Sequence, residues 1–103
     1  MQNMNEFLRQ AQLLQRKVQK AQEQLGEKVF EASSGGGMVK AVVNGNMRLV
    51  SLEIDPSVYE GGDREMLQDL ILAAVNEAER IAQETREREV STLTSGIKIP
   101  GLF

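Results

Sequence analysis

Four cations in the first quarter of the chain are the residues whose spacing best suggests a chemistry. Arg9, Arg16, Lys17 and Lys20 lie in residues 7–22, an interval without Asp or Glu. At 100° per residue of an α-helix, Arg9, Arg16 and Lys20 fall within about 40° of one another. Such a stripe suits the phosphate backbone of a nucleic acid, where counterion release drives binding. An ordinary solvated helix face would have the same pattern.

Other chemistries have little support. The 103 residues include no Cys and no His, which excludes a disulfide framework, a Cys/His zinc site and a His general base. Residues 33–37 are Gly-rich but lead into a strand and lack the Gly-Lys-Ser/Thr ending of a phosphate loop. A few carboxylates are spread over the end of the last predicted strand and the acidic loop after it, without EF-hand spacing: Glu53, Asp55, Glu60 and Asp63. We therefore predict a non-enzymatic protein with no metal and no cofactor.

A helix over residues 4–25 must carry the basic stripe. Its apolar residues alternate at three and four positions, the spacing of a heptad seam. We expect Leu8 and Leu13 to broaden this apolar face and Gly26 to end the helix. The seam comprises Met4, Phe7, Ala11, Leu14, Val18, Ala21 and Leu25.

Period-two alternation predicts three antiparallel strands within residues 28–55. Asn44-Gly45-Asn46 is a strong hairpin signal, because Asn and Gly accept positive φ. Pro56 ends the last strand, and residues 57–62 are predicted as a loop. One face of the sheet should hold Val39, Ala41, Val43, Val50, Leu52 and Ile54.

A second helix is predicted over residues 63–92, with Asp63 as its cap. Its residues 70–75 are apolar nearly all round, which indicates burial on more than one side. Its later part is polar and includes Arg86 and Arg88. The tail, residues 95–103, contains Ile97, Ile99, Leu102 and Phe103, and we expect it to be non-helical and to dock on the body of a dimer or on a protein partner.

These elements predict an α+β fold of one domain, residues 1–103, in the order α-β-β-β-α. A 21-residue helix runs about 30 Å, whereas a six-residue strand spans about 20 Å. The helices therefore overhang the sheet, and the overhanging turns need a partner. The seam could pack on the sheet of the same chain or on a helix of another chain, and we expect helix-to-helix packing in a homodimer that completes the core. The sequence contains no run of about 18 apolar residues, the length that would predict a membrane span. It also has no signal-peptide pattern, so we expect a cytoplasmic protein without a membrane partner.

Four segments in this order resemble the YbaB/EbfC family of nucleoid-associated proteins. They are Gly-Gly-Gly-Met-Val-Lys-Ala-Val-Val-Asn-Gly at 35–45, Leu-Glu-Ile-Asp-Pro at 52–56, Leu-Gln-Asp-Leu-Ile-Leu-Ala-Ala-Val-Asn-Glu-Ala at 67–78 and Ile-Pro-Gly at 99–101. The resemblance implies a small bacterial DNA-binding homodimer, with paired sheets as its body and helices as projecting arms. It also implies a place on the nucleoid, an influence on transcription and no catalytic activity.

The family has no short DNA-binding signature that transfers residue by residue, so the site residues come from charge geometry. We predict DNA phosphate contacts at Arg9, Arg16, Lys17 and Lys20, with Arg86 and Arg88 secondary because Glu residues surround them. The alternative is a protein–protein adaptor that uses the heptad helix or the apolar tail. A small enzyme is the weakest hypothesis, since the chain lacks a nucleophile–base pair.

Overall fold

The computed structural model describes residues 3–94, and the elements follow the predicted order. In chain order, a long helix is followed by three strands that form one sheet and then by a second long helix, which confirms the α+β, α-β-β-β-α prediction. A short helix that was not predicted lies before the last one. The elements are α1 (Met4–Glu27), β1 (Val29–Ser34), β2 (Val39–Asn44), β3 (Leu49–Ile54), α2 (Pro56–Glu60) and α3 (Arg64–Thr94).

The sheet is antiparallel, with β2 between β1 and β3. The β1–β2 connection, Gly35–Gly37, is a 3-10 turn in which all three glycines have positive φ. Alternate residues of β2 are fully buried, and α3 covers that face with small side chains that allow close approach. The core consists of Val39, Ala41 and Val43 from β2 and Ala74, Ala78 and Ala82 from α3.

The expected apolar face of the sheet is right except at Val50. Leu52 and Ile54 of β3 pack against the core as predicted. The β2–β3 register shifts between Val42 and Val43, so that Val42 pairs with Ser51 but Val43 pairs with Leu49. Val50 is the extra residue of this irregularity and is 56% exposed. Strict alternation fails here because a bulge puts two residues opposite one.

The end of α1 is set by contact with the β2–β3 turn, so the prediction that Gly26 ends the helix is wrong. The helix continues to Glu27, and Gly26 is buried inside it. A Cβ at Gly26 would lie 2.9 Å from the side-chain oxygen of Asn46. This glycine therefore serves a close approach between two elements, which the helix pattern alone does not reveal.

Gly45 lies on the other side of the same junction. A Cβ at Gly45 would lie 1.7 Å from the carbonyl oxygen of Leu25, and its N–H donates to the carbonyl of Lys28 at 3.0 Å. The positive φ of the hairpin falls on Met47 (64°), not on Gly45. The predicted turn is present, but Gly45 is needed for space rather than for its backbone conformation.

Residues 56–60 form α2 where a loop was predicted. The Asp55 carboxylate accepts the Ser57 N–H at 2.9 Å, which caps the helix and lowers the pKa of Asp55. Pro56 occupies the first turn, where its missing N–H is harmless, and Val58 is buried. Asp63 caps α3 as predicted, because its carboxylate accepts the Met66 N–H at 2.9 Å.

The later part of α3 and most of α1 form a two-helix arm beyond the sheet. The Ser34 hydroxyl donates to the Leu70 carbonyl at 2.6 Å, which fixes the early part of α3 at one end of β1. Twelve residues later, Ala82 is the last α3 residue of the core. The remaining turns extend about 18 Å further and α1 packs against α3. The resulting molecule measures 72 × 21 × 16 Å.

Candidate nucleic-acid interface

The heptad seam of α1 faces α3 along most of its length. Ala11, Leu14, Val18 and Ala21 are half-buried, and Leu25 is buried at the sheet. The first two seam residues, at the start of the helix, are exposed to solvent instead. Met4 is 71% exposed and Phe7 is 48% exposed.

The four predicted phosphate contacts lie on the outer surface of this arm. Arg9, Arg16, Lys17 and Lys20 are all exposed. Arg9, Arg16 and Lys20 point about 180° from the seam and span about 16 Å of the helix, and Lys17 lies about 80° to one side of them. Within residues 3–94, none of the four forms an ion pair with a carboxylate. Their charges are thus available to a partner in solution.

Leu13 belongs to this basic face, so the expectation that it broadens the seam is wrong. Its helical position lies about 20° from that of Lys20, and it is 47% exposed. The side chain therefore places an apolar contact between the cations. The 100° periodicity could have assigned it to this face from the sequence.

A carboxylate limits the stripe toward the sheet. Glu23 follows Lys20 by one turn, and its helical position is about 60° away on the same outer surface. It is exposed. The positive region of α1 therefore ends near Lys20. The position of Glu23 in the sequence also indicates this boundary.

The two secondary candidates on α3 do not join the α1 stripe. Arg86 is half-buried, and its Nε is enclosed without a hydrogen-bond partner. Arg88 is exposed and donates from Nη2 to the Thr85 hydroxyl at 3.3 Å. By helical position, Arg86 lies beside the face that meets α1, whereas Arg88 lies on the far side of α3.

The outer face of α3 is acidic and largely self-paired. Arg80 donates to Glu77 through Nε at 3.0 Å and to Glu84 through Nη1 at 2.8 Å. These carboxylates raise the pKa of Arg80, and the bonded guanidinium lowers the pKa of Glu77. Glu87 extends this face and is also exposed. The arm is thus basic on its α1 side and acidic on its α3 side.

The lysine in the middle of the sheet is paired with carboxylates. Lys40 lies on the open face of the sheet between Glu31 and Glu53, at 3.4 Å and 3.9 Å. In the described part of the chain, no three acidic side chains are grouped so that they could hold a metal ion. No helix among the described residues is both long enough and apolar enough to cross a membrane.

Together, the fold and this face define a small α+β protein with a two-helix arm that carries an exposed basic surface on α1. The chain belongs to the YbaB/EbfC DNA-binding family, whose model matches residues 1–97. This confirms the resemblance read from the four sequence segments.

Several relatives are similar over nearly the whole chain. A nucleoid-associated protein of Thermoanaerobacter pseudethanolicus is 52% identical, over 98% of this chain and 91% of its own length. One from Pelotomaculum thermopropionicum is 48% identical, over 98% of this chain and 96% of its own. An uncharacterized protein of Helicobacter pylori shares the fold, with a TM-score of 0.80 and 24% identity over 92% of this chain and all of its own.

Proposed function

We propose that this protein is a homodimeric, non-enzymatic DNA-binding protein of the nucleoid that contacts phosphates through the outer face of α1. The observation that carries the proposal is the exposed, unpaired stripe of Arg9, Arg16, Lys17 and Lys20. The family supports DNA as the partner, and the names of the relatives support the nucleoid as the place. An effect on gene expression would follow from occupancy of DNA along the nucleoid.

The acidic net charge of −3 does not oppose this proposal, because the charges are segregated. The acidic face of α3 lies on the opposite side of a two-helix arm, about 20 Å from the α1 stripe. At physiological ionic strength the Debye length is about 8 Å, so carboxylates at that distance are largely screened from DNA. The local positive surface, rather than the net charge, therefore governs the encounter.

The side chains of the stripe favour binding that depends little on base sequence. Long cations on one outer helix face suit phosphate oxygens, which position a protein without specifying bases. Each neutralised phosphate contributes about 0.9 to the dependence of log K on log salt. Binding should therefore be strong at low salt and fall steeply as salt is added.

Exposed apolar side chains on the body support the homodimer. In the single chain Leu72 is 59% exposed, Val50 is 56% exposed and Leu49 is 48% exposed. A second copy that covered such surface would account for the apolar character of residues 70–75 and would bring two arms to one DNA molecule. Two linked arms raise avidity without any new contact.

A gel-shift series with short duplexes of unrelated sequence, from low to physiological salt, tests the proposal. We expect retardation of every duplex at low salt and its progressive loss as salt increases. The adaptor hypothesis retains one supporting observation, the exposed Met4, Phe7 and Leu8 at the start of α1. Failure to retard any duplex at low salt, with protein folded by circular dichroism, would favour the adaptor.

A further inference from the structure

The first turns of α1 carry an apolar patch that the described chain leaves open. Met4, Phe7 and Leu8 are 71%, 48% and 49% exposed. Their helical positions fall within about 100° of one another, on the side that continues the seam. The patch therefore extends the contact surface of α1 past the point where α3 supports it.

The lengths of the two helices explain why the patch is open. Both helices leave the sheet from the same end, where Leu25 contacts Gly45 and Ala82 closes the core. From that end, α3 continues about 18 Å to Thr94, whereas α1 continues about 32 Å to Met4. About nine residues of α1 thus lie beyond the last described turn of α3.

The chain that follows Thr94 starts beside this overhang. Residues 95–103 lie outside the described part, and four of the nine are large and apolar: Ile97, Ile99, Leu102 and Phe103. Nine extended residues reach about 30 Å, more than the roughly 13 Å of uncovered helix. Among the segments of this chain, the tail is the one whose origin, reach and composition match the patch.

We propose that residues 95–103 continue beyond the end of α3 along the first turns of α1 of the same chain and cover Met4, Phe7 and Leu8. The contact buries apolar side chains on both partners and completes the arm. It leaves the basic stripe free, because the patch and the stripe lie on opposite sides of α1. The inference therefore does not depend on DNA binding.

The absence of tryptophan provides a direct test. A Phe103→Trp variant of the full chain reports the environment of the tail by its emission maximum and by acrylamide quenching. We expect blue-shifted emission and quenching several-fold weaker than that of free tryptophan amide, both independent of protein concentration. Adding Phe7→Ser and Leu8→Ser should restore red-shifted, readily quenched emission.

Leu13→Ser in the Phe103→Trp background is the matched control. Leu13 is as exposed as Phe7 (47% against 48%) and lies on the same helix, but it faces the basic side. We expect no change in emission from this variant, with all variants folded by circular dichroism. Emission like that of free tryptophan amide in the Phe103→Trp protein would overturn the proposal. The proposal would also be overturned if the emission stayed blue-shifted and weakly quenched after Phe7→Ser and Leu8→Ser were added. The same holds if the blue shift were lost on dilution.

Discussion

At the scale of single residues, Gly45 allows the close contact between α1 and the β2–β3 turn of the sheet. A Cβ there would lie 1.7 Å from the Leu25 carbonyl oxygen, so α1 and the β2–β3 turn must separate to admit even alanine. Overpacking of this kind typically costs about 1–3 kcal/mol. We expect Gly45→Ala to lower the free energy of unfolding in urea by at least about that amount, because the clash involves backbone that cannot rotate away.

Gly61→Ala is the control for this prediction. Gly61 has φ of −70°, which alanine adopts readily, and its added Cβ would lie 3.3 Å from the Ser57 carbonyl oxygen. We expect a small change at most. Equal stability of the Gly45→Ala and wild-type proteins would show that the junction is looser than the structure indicates.

At the scale of elements, the helices were the most predictable parts. The seam spacing predicts which side of α1 is apolar, and Asp63 identifies the start of α3, because both signals act within a few residues. That the apolar side of α1 meets α3 of the same chain is seen only in the structure. The predictions that Val50 lies on the apolar face of the sheet and that Gly26 ends α1 are wrong, because they depend on signals that are not local. The bulge and the end of α1 are set by contacts between elements distant in sequence, which periodicity does not contain.

The candidate site was predictable to a similar degree. The exposure and the shared face of Arg9, Arg16 and Lys20 follow from the helical period, and the structure shows both. The structure alone shows that α3 places Arg88 on the far side of the arm and Arg86 near the seam. Which residues touch DNA stays a prediction.

The opposed faces of the arm predict different effects for two sets of acidic side chains. Glu84→Gln with Glu87→Gln should leave DNA affinity nearly unchanged, because these residues face away from the α1 stripe. Glu23→Gln should strengthen binding, because it removes a negative charge about one turn from Lys20. Fluorescence anisotropy with a labelled duplex at fixed low salt measures both. Stronger binding by the Glu84→Gln, Glu87→Gln variant would mean that DNA also approaches α3.

At the scale of the whole molecule, the single chain leaves too much apolar surface open for its size. Leu72 on α3 is 59% exposed, although its neighbours Ile71 and Val75 pack against the core. Large exposed apolar surface on a small protein indicates an interface. We expect a dimer at micromolar concentration in sedimentation equilibrium. A stable monomer across that range would remove the two-armed mode of DNA binding.

The central claim is that the outer face of α1 is the surface that meets DNA. Changing Arg9, Arg16 and Lys20 together to Gln removes three charges and keeps helix propensity. If each cation neutralises one phosphate, the slope of log K against log salt should fall by about 2.7 for each arm that engages DNA. The loss should be similar for duplexes of different sequence, with circular dichroism and sedimentation unchanged. Unchanged affinity and slope in the folded triple variant would contradict the account and leave the stripe an ordinary solvated helix face.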